Sequence, residues 1–341
     1  MKINFRVTVS CGWLDGNHPC FHPLAAAGIH YEPAKWPEFY EHAKDFDCIQ
    51  AGGEVYDKKV LDQLPRLKLI QRHGAGYDAI DLDYAAKLGI AVANTPGANA
   101  PAVAEFTLML ALAANQRLRE LTLPVADWSA VPMGRALEGT VGLVGFGHIA
   151  RAFAKLLAVF PVKIIACDPC VSAAEMAGLG VEKCTLADIR LRADTISVHA
   201  QATPATRHII SRDFLENLGR PVVLVNTSRG SLIDEPALID ALKSGRVLAA
   251  GLDVQDDDTP HPADHPLFQL PNCVATPHIA TNNLRCRVAV NTMAVQNIIN
   301  FANGKPIVGL LNPDYEKVSR FNREVSSSKF CGGSAAVPLE T

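Results

Sequence analysis

Four short stretches carry side chains whose types and spacing could do chemistry together. "TVGLVGFGHIAR" sets Gly145, Gly147 and Ala150 in the order G-x-G-x-x-A, after an apolar run and before an amphipathic one. Gly145 permits a tight turn, Gly147 a close backbone approach, and Ala150 close helix–strand packing. The free N–H groups of the helix start then attract phosphate. "VKIIACDP" closes the next apolar run with Asp168, 23 positions after Gly145 (168 − 145). A carboxylate there suits ribose hydroxyls and repels a 2′-phosphate, which favours NAD over NADP. The plain alternative is a ligand-free glycine turn followed by a loop-capping aspartate.

Three more polar positions end apolar runs. "VVLVNTSRGSLIDE" ends with Arg229, "VLAAGLDV" leads into the aspartates of "DVQDDDTP", and "CVATPHIA" ends with His278. Arginine offers a forked, always-charged donor for a carboxylate. Histidine gives or takes a proton near neutral pH, and a carboxylate against it orients the ring and raises its proton affinity. Taken singly, each has a structural explanation: a capping arginine, a loop histidine, a solvated acidic turn. Together, downstream of a nucleotide loop, they suggest an active site.

The elements that must position these residues are legible as periodicity. Ten runs read as strands: "NFRVTVS", "DCIQAG", "LKLIQRH", "IAVAN", "TVGLVGF", "VKIIACD", "TISVHA", "PVVLVNTS", "VLAAGLDV" and "CVATPH". Most are continuously apolar, as parallel strands buried on both faces are. "HIARAFAKLLAVF" places Ile149, Phe153, Leu156, Leu157 and Phe160 on one helical face. "DEPALIDALKSG" opens on Asp234, carries Pro236 in its first turn and stops at Gly245. The class is α/β with doubly wound parallel sheets. Two long helical stretches, "ANAPAVAEFTLMLALAANQRLREL" and "NLRCRVAVNTMAVQNIINFANG", bracket the strands from "TVGLVGF" onward. That pattern predicts an inserted domain, residues 99–284, within a discontinuous one, residues 1–98 and 285–317. Residues 318–341, rich in Ser, Gly and charge, read as a loose tail.

With 341 residues, 48% hydrophobic and 20% charged, the chain is long enough and apolar enough for two packed domains. A net charge of −3 argues against nucleic acid and anionic membrane as partners. No run approaches the length of a membrane span, and "MKINFRVTVSCGW" lacks a signal peptide's layout. Nine scattered cysteines fit reduced thiols in a cytoplasmic protein. Cys167 and Cys170 in "CDPC" have redox or zinc spacing, but no second Cys/His pair is placed to complete a metal site, so no metal is expected.

"HGAGYDAIDL", "GIAVANTPGANAPAVAEFTL", "GLVGFGHIAR", "VNTSRGSLIDEPALIDAL", "GLDV" and "TPHIA", in that order, resemble the D-isomer-specific 2-hydroxyacid dehydrogenases over residues 45–310. The resemblance implies two flavodoxin/Rossmann-like domains, the NAD domain inserted into the substrate domain, a cleft active site and a homodimer. It implies hydride transfer between nicotinamide C4 and C2 of a small 2-oxoacid or D-2-hydroxyacid. Arg229 would hold the substrate carboxylate, His278 would be the acid/base, and N–H groups at Ala75 and Gly76 in "HGAGYD" would face the same carboxylate. Carried over by match, Gly145, Phe146, Gly147, His148, Ile149, Asp168 and Pro169 would meet the adenosine and phosphate half of NAD. Thr227, Ser228, Asp253 and the loop from His278 through Ala280 would lie near its nicotinamide half, and His199 and Arg229 would also touch the cofactor. The imidazole's partner in the family is a glutamate directly before a proline. Here Thr259 precedes Pro260, and Asp258 is expected to serve after a one-residue insertion. Phosphoglycerate-specific members resemble "RSxT" in the substrate loop, whereas this chain reads "QAGGEV" with Gln50 in the arginine's place, and Arg72 or His73 could compensate. A second function of the same fold is an NAD(H)-sensing dimer that docks a peptide; its expected marks are an extra peptide-docking surface or a long interaction tail, whereas the C-terminal tail here is short and an Arg–acid–His set would be idle in a sensor.

Overall fold

A computed structural model describes residues 5–10, 18–34, 38–122, 124, 127–256 and 264–318. The chain divides into two compact units, residues 1–96 with 288–341, and residues 97–287. The first unit holds a sheet of β1 (Arg6–Val9), β2 (His30–Pro33), β3 (Cys48–Ala51), β4 (Leu69–Arg72) and β5 (Ala91–Ala93). Their order is β2-β1-β3-β4-β5 and every pairing is parallel. The second unit holds β6 (Gly139–Val144), β7 (Val162–Cys167), β8 (Val181–Lys183), β9 (Thr195–Val198), β10 (Val222–Asn226), β11 (Val247–Leu252) and β12 (Cys273–Ala275). Their order is β12-β11-β10-β9-β6-β7-β8, again all parallel.

The expected α/β class and parallel sheets are present. Strands β3, β9 and β10 are buried at every position. Apolar side chains cover both faces of each sheet: Val7, Phe21, Leu69 and Ile298 on one face of the first, Phe39, Ile49, Ile70 and Val92 on the other. Twelve strands are described, where the sequence pattern predicts ten. The additional two, β2 "HYEP" and β8 "VEK", are sheet edges with mixed exposure, so they lack the continuous apolar signal of a strand covered on both faces.

Among the described residues, four helices reach ten residues: α1 (Ala100–Asn115), α2 (His148–Leu157), α3 (Glu235–Ser244) and α4 (Leu284–Ala302). In α2 the buried face is Ala150, Phe153, Ala154 and Leu157, so two small residues join the predicted apolar stripe and let the helix lie close to the sheet. Asp234 caps α3 by accepting the Ala237 N–H at 3.0 Å, and Gly245 ends it with φ +77. Buried amides seat α4 on the first sheet: Gln50 donates to Asn291 at 2.5 Å, and Asn297 donates to Gln71 at 3.0 Å.

The strand order reverses between β1 and β3 in the first sheet and between β6 and β9 in the second. The carboxyl ends of such strand pairs diverge into a crevice, where doubly wound sheets take ligands. Ser10 and Gly52 stand at the first crevice, Gly145 and His199 at the second.

Candidate active site

The glycine loop is shaped by what cannot be there. Gly145 has φ +92, and a Cβ on it would lie 2.6 Å from the Ala200 amide nitrogen, because the ends of β6 and β9 are crowded together. Gly147 is the opposite: a Cβ there would meet nothing within 4 Å. It precedes the first residue of α2, and no side chain caps the helix, so its amino-terminal N–H groups lack a side-chain acceptor from the cap. At the end of β7, Asp168 accepts the Phe146 N–H at 2.8 Å through one oxygen and the Cys170 N–H at 2.8 Å through the other. The carboxylate is thereby clamped at the rim of the loop. Phe146 turns its ring into the core, fully buried, so only its backbone faces the loop. His148 and Pro169 are exposed, and Ile149 is half-buried. A glycine that must remain one, an uncapped helix start and a fixed carboxylate fit a dinucleotide's pyrophosphate and ribose.

His199, after β9, is half-buried between Phe153 and Ser197; its Nε2 lies 2.9 Å from the serine hydroxyl and the two rings are 5.7 Å apart. Burial pushes its imidazole from the ordinary 6.5 down to about 3, so it is neutral at physiological pH.

His278 follows β12 and adopts φ +52, a left-handed conformation unusual for a non-glycine residue. Asp253, at the end of the neighbouring β11, builds the turn around it. The fully buried Asp253 carboxylate accepts the Thr276 hydroxyl at 2.6 Å and the Ile279 N–H at 2.9 Å through one oxygen, and the Ala280 N–H at 2.9 Å through the other. Its main-chain carbonyl accepts the His278 N–H at 2.8 Å. Burial raises the Asp253 carboxyl above its ordinary range, with these hydrogen bonds and the nearby His278 opposing the rise. Asp253 and Ala280 are thus the frame of the histidine loop, their side chains enclosed in protein.

The Arg229 turn leaves β10 beside this frame. Asn226 donates to the Arg229 carbonyl at 2.8 Å and accepts the Ser228 N–H at 2.9 Å; its own carbonyl accepts the Asp253 N–H at 2.9 Å. The Ser228 hydroxyl donates to the Ala200 carbonyl at 2.6 Å, and the hydroxyls of Thr227 and Thr107 are 2.8 Å apart. Arg229 donates one guanidinium bond to the Ser228 carbonyl at 2.8 Å. A Cβ on Gly230 would lie 1.7 Å from the Gln255 carbonyl oxygen, so only glycine lets this turn press against the end of β11. Arg229 and His278 therefore stand at the carboxyl ends of β10 and β12, on either side of β11.

In the first unit, Gly74 after β4 has φ +107 and exchanges hydrogen bonds with Thr95, while Asn94 donates to the Ala75 carbonyl at 2.8 Å. Among the described residues, the N–H groups of Ala75 and Gly76 have no protein acceptor. Main-chain donors left open in this way are groups from which an anion can accept hydrogen bonds.

Residues 106–280, just over half of the chain, match the family model for the D-isomer specific 2-hydroxyacid dehydrogenase, NAD binding domain. The chain is 34% identical to a glyoxylate reductase of Aeropyrum pernix over 300 residues, covering 84% of this chain and 89% of that protein. The chain belongs to the D-isomer specific 2-hydroxyacid dehydrogenase family. It is also 37% identical to a D-3-phosphoglycerate dehydrogenase of Mycobacterium leprae over 76% of its own length, but it spans only 49% of that longer protein. The crystal structure of a glyoxylate reductase from Paecilomyes thermophila superposes with a TM-score of 0.80 at 25% identity, covering 90% of this chain and 98% of that one.

The residues that match the NAD-binding domain, 106–280, lie within the unit of residues 97–287. Asp258 lies outside the described residues. Its neighbour Asp256 is exposed, 3.8 Å from Arg207, and its N–H donates to Glu235 at 3.1 Å. Asn226, Thr276 and Gly230 organise the Arg229 and His278 turns without having been singled out in sequence. Thr276 directly precedes "PH", and Gly230 directly follows Arg229, so their proximity was visible; their hydrogen-bond partners were not.

Proposed function

We propose that this chain is an NAD-dependent oxidoreductase that interconverts a 2-oxoacid and a D-2-hydroxyacid, with Arg229 binding the substrate carboxylate and His278 as acid/base. The observation that supports it best is the buried Asp253 frame, which spends a carboxylate and a strained backbone on presenting one histidine beside the Arg229 turn.

Bound NAD supplies the hydride chemistry. The chain's own residues do the rest. Arg229 grips the substrate carboxylate and draws electron density from the adjacent carbonyl. His278 donates a proton to the C2 oxygen in reduction and removes it in oxidation. Asp258 stabilises the protonated imidazole as its partner. Ala75 and Gly76 offer main-chain donors for a carboxylate, and the unit that carries them serves as the substrate domain. Clamped Asp168 favours NAD over NADP by repelling a 2′-phosphate. The reading includes a cytoplasmic homodimer.

The test mixes purified protein with NADH and glyoxylate, hydroxypyruvate, 3-phosphohydroxypyruvate and bulkier 2-oxoacids, following NADH consumption. Turnover with at least one is expected. Tight NADH binding with no turnover on any of them would overturn the reading in favour of a dinucleotide-sensing protein.

A further inference from the structure

In sequence, Asp258 falls between Asp256 and His265, and a single carboxylate touches both of those residues. That carboxylate belongs to Glu235, the first residue of α3. Asp234 already caps the helix by accepting the Ala237 N–H, so Glu235 is not needed for that task. One Glu235 oxygen accepts the Asp256 N–H at 3.1 Å, and the other lies 3.1 Å from Nε2 of His265. The two side chains are only 14% and 17% exposed, so water competes little for the pair.

Each anchor is fixed in its own right. His265 Nδ1 accepts the Leu267 N–H at 3.4 Å and caps the short helix Pro266–Gln269, which assigns the imidazole proton to Nε2, facing Glu235. The ring stands edge-on to Phe268, with centroids 5.8 Å apart. Leu267 is fully buried and shares a core cluster with Ile233, Leu238 and Leu252, so His265 is rooted in the core that seats α3. At the other anchor, Gln255 is buried, donates to the Thr276 carbonyl at 3.4 Å, and has its own carbonyl pressed against Gly230. The Asp256 carboxylate lies 3.8 Å from the exposed Arg207, so Glu235 holds the main chain of residue 256 and not its acid. Glu235 follows Arg229 by six positions (235 − 229), and one side chain thus joins the arginine turn to both anchors.

We propose that Glu235 is a positioning residue: by clasping Asp256 and His265, the anchors of the segment that carries Asp258, it sets the reach of that acid to His278. The proposal rests on the oxidoreductase reading and on the pairing of Asp258 with His278. A segment tied at both ends has fewer conformations than one tied at neither. Aspartate is one methylene shorter than the family's glutamate, so its reach depends on where the segment begins and ends. A displacement of about 1 Å in a catalytic constellation can cost about 10²-fold in rate.

The experiment records pH–rate profiles of kcat with a 2-oxoacid that is turned over, NADH affinity by fluorescence titration, and thermal midpoints. The proteins are wild type, Glu235→Ala, Glu235→Gln, His265→Ala, Asp258→Asn, and Glu235→Ala combined with Asp258→Asn. Asp258→Asn should lower the apparent pKa of the histidine by about one pH unit, because a carboxylate partner favours the imidazolium. Glu235→Ala should lower it in the same direction and reduce kcat by about tenfold or more, with NADH affinity retained. His265→Ala opens the clasp from its other end and should do likewise. Glu235→Gln keeps an acceptor for the Asp256 N–H and should fall between Glu235→Ala and wild type. In the Asp258→Asn background, Glu235→Ala should bring no further fall in the apparent pKa, whereas a general loosening of packing would add to any background. Asp253, the carboxylate that frames His278, is the same in every variant. Should Glu235→Ala fail to fold, Glu235→Gln and His265→Ala carry the test. A profile that moves in Asp258→Asn but stays in place when the clasp is opened overturns the role of Glu235 alone, as does a full further shift in the combined variant. A profile unmoved by Asp258→Asn overturns the pairing of Asp258 with His278 and this proposal with it, and absence of turnover on every 2-oxoacid overturns the oxidoreductase reading as well.

Discussion

Asp253 and His278 are joined through both backbone and side chain: the Asp253 carbonyl accepts the His278 N–H at 2.8 Å, while its carboxylate binds Thr276, Ile279 and Ala280 around it. A left-handed histidine at φ +52 costs about 1–2 kcal/mol, and this frame offsets it. Asp253→Asn replaces one acceptor oxygen by a donor facing an N–H. It should lower stability by about 1–3 kcal/mol and reduce kcat more than it weakens NADH binding. Denaturant unfolding and steady-state kinetics check both. Wild-type values for stability and kcat together would show that the frame does not hold the histidine.

His278→Gln should cost roughly 10²–10⁴-fold in turnover with NADH affinity retained, because it deletes proton transfer. His278→Gly should lose turnover equally yet be at least as stable as wild type, since glycine tolerates this backbone. Asp258→Asn should lower the apparent pKa in the pH–rate profile, and Asp257→Asn should leave it in place. Surviving turnover in the glutamine variant would remove His278 from the mechanism.

Asp168→Ala should weaken NADH and raise the NADPH-to-NADH preference, measured as a ratio of kcat/KM values. Because Asp168 also holds the Phe146 and Cys170 N–H groups, Asp168→Asn, which keeps an acceptor, should retain more of the loop's stability. An unchanged cofactor ratio in both variants would refute the repulsion argument.

Three glycine-to-alanine changes separate crowding from ligand approach. Gly145→Ala and Gly230→Ala force a Cβ to within 2.6 Å and 1.7 Å of main-chain atoms, so both should destabilise by about 1–3 kcal/mol or more. Gly147→Ala meets open space and should leave the thermal midpoint near wild type while weakening NADH binding. Equal affinity for NADH in Gly147→Ala would mean that the pyrophosphate passes elsewhere.

His199 makes stability depend on pH in a known direction. Its folded pKa of about 3 lies below the ordinary 6.5, so between those values the unfolded chain binds a proton that the folded chain does not. Stability is therefore lost as pH falls from 6.5 toward 3, at up to about 1.4 kcal/mol per pH unit from this residue. His199→Gln should flatten that part of the profile. Parallel profiles for the two proteins would place the acid sensitivity in other groups.

The sequence alone determined the α/β class, where along the chain the buried strands fall, the glycine loop with its acid, and the candidate status of Arg229 and His278. Those features are local: continuous apolar runs, 3.6-residue stripes, turn glycines and caps each act within a few positions. β2 and β8 escaped because an edge strand is buried on fewer sides and its polar residues erase the pattern. What Asp253 holds, why position 230 must be glycine, and that Gln50 faces α4 were decided only by tertiary structure. Each depends on which strand lies beside which and in what register, and that alignment brings Asp253 to residues 276–280 and Gln50 to Asn291, 241 positions away. Strand neighbours are chosen by packing over the whole sheet, so no local pattern of residues encodes them.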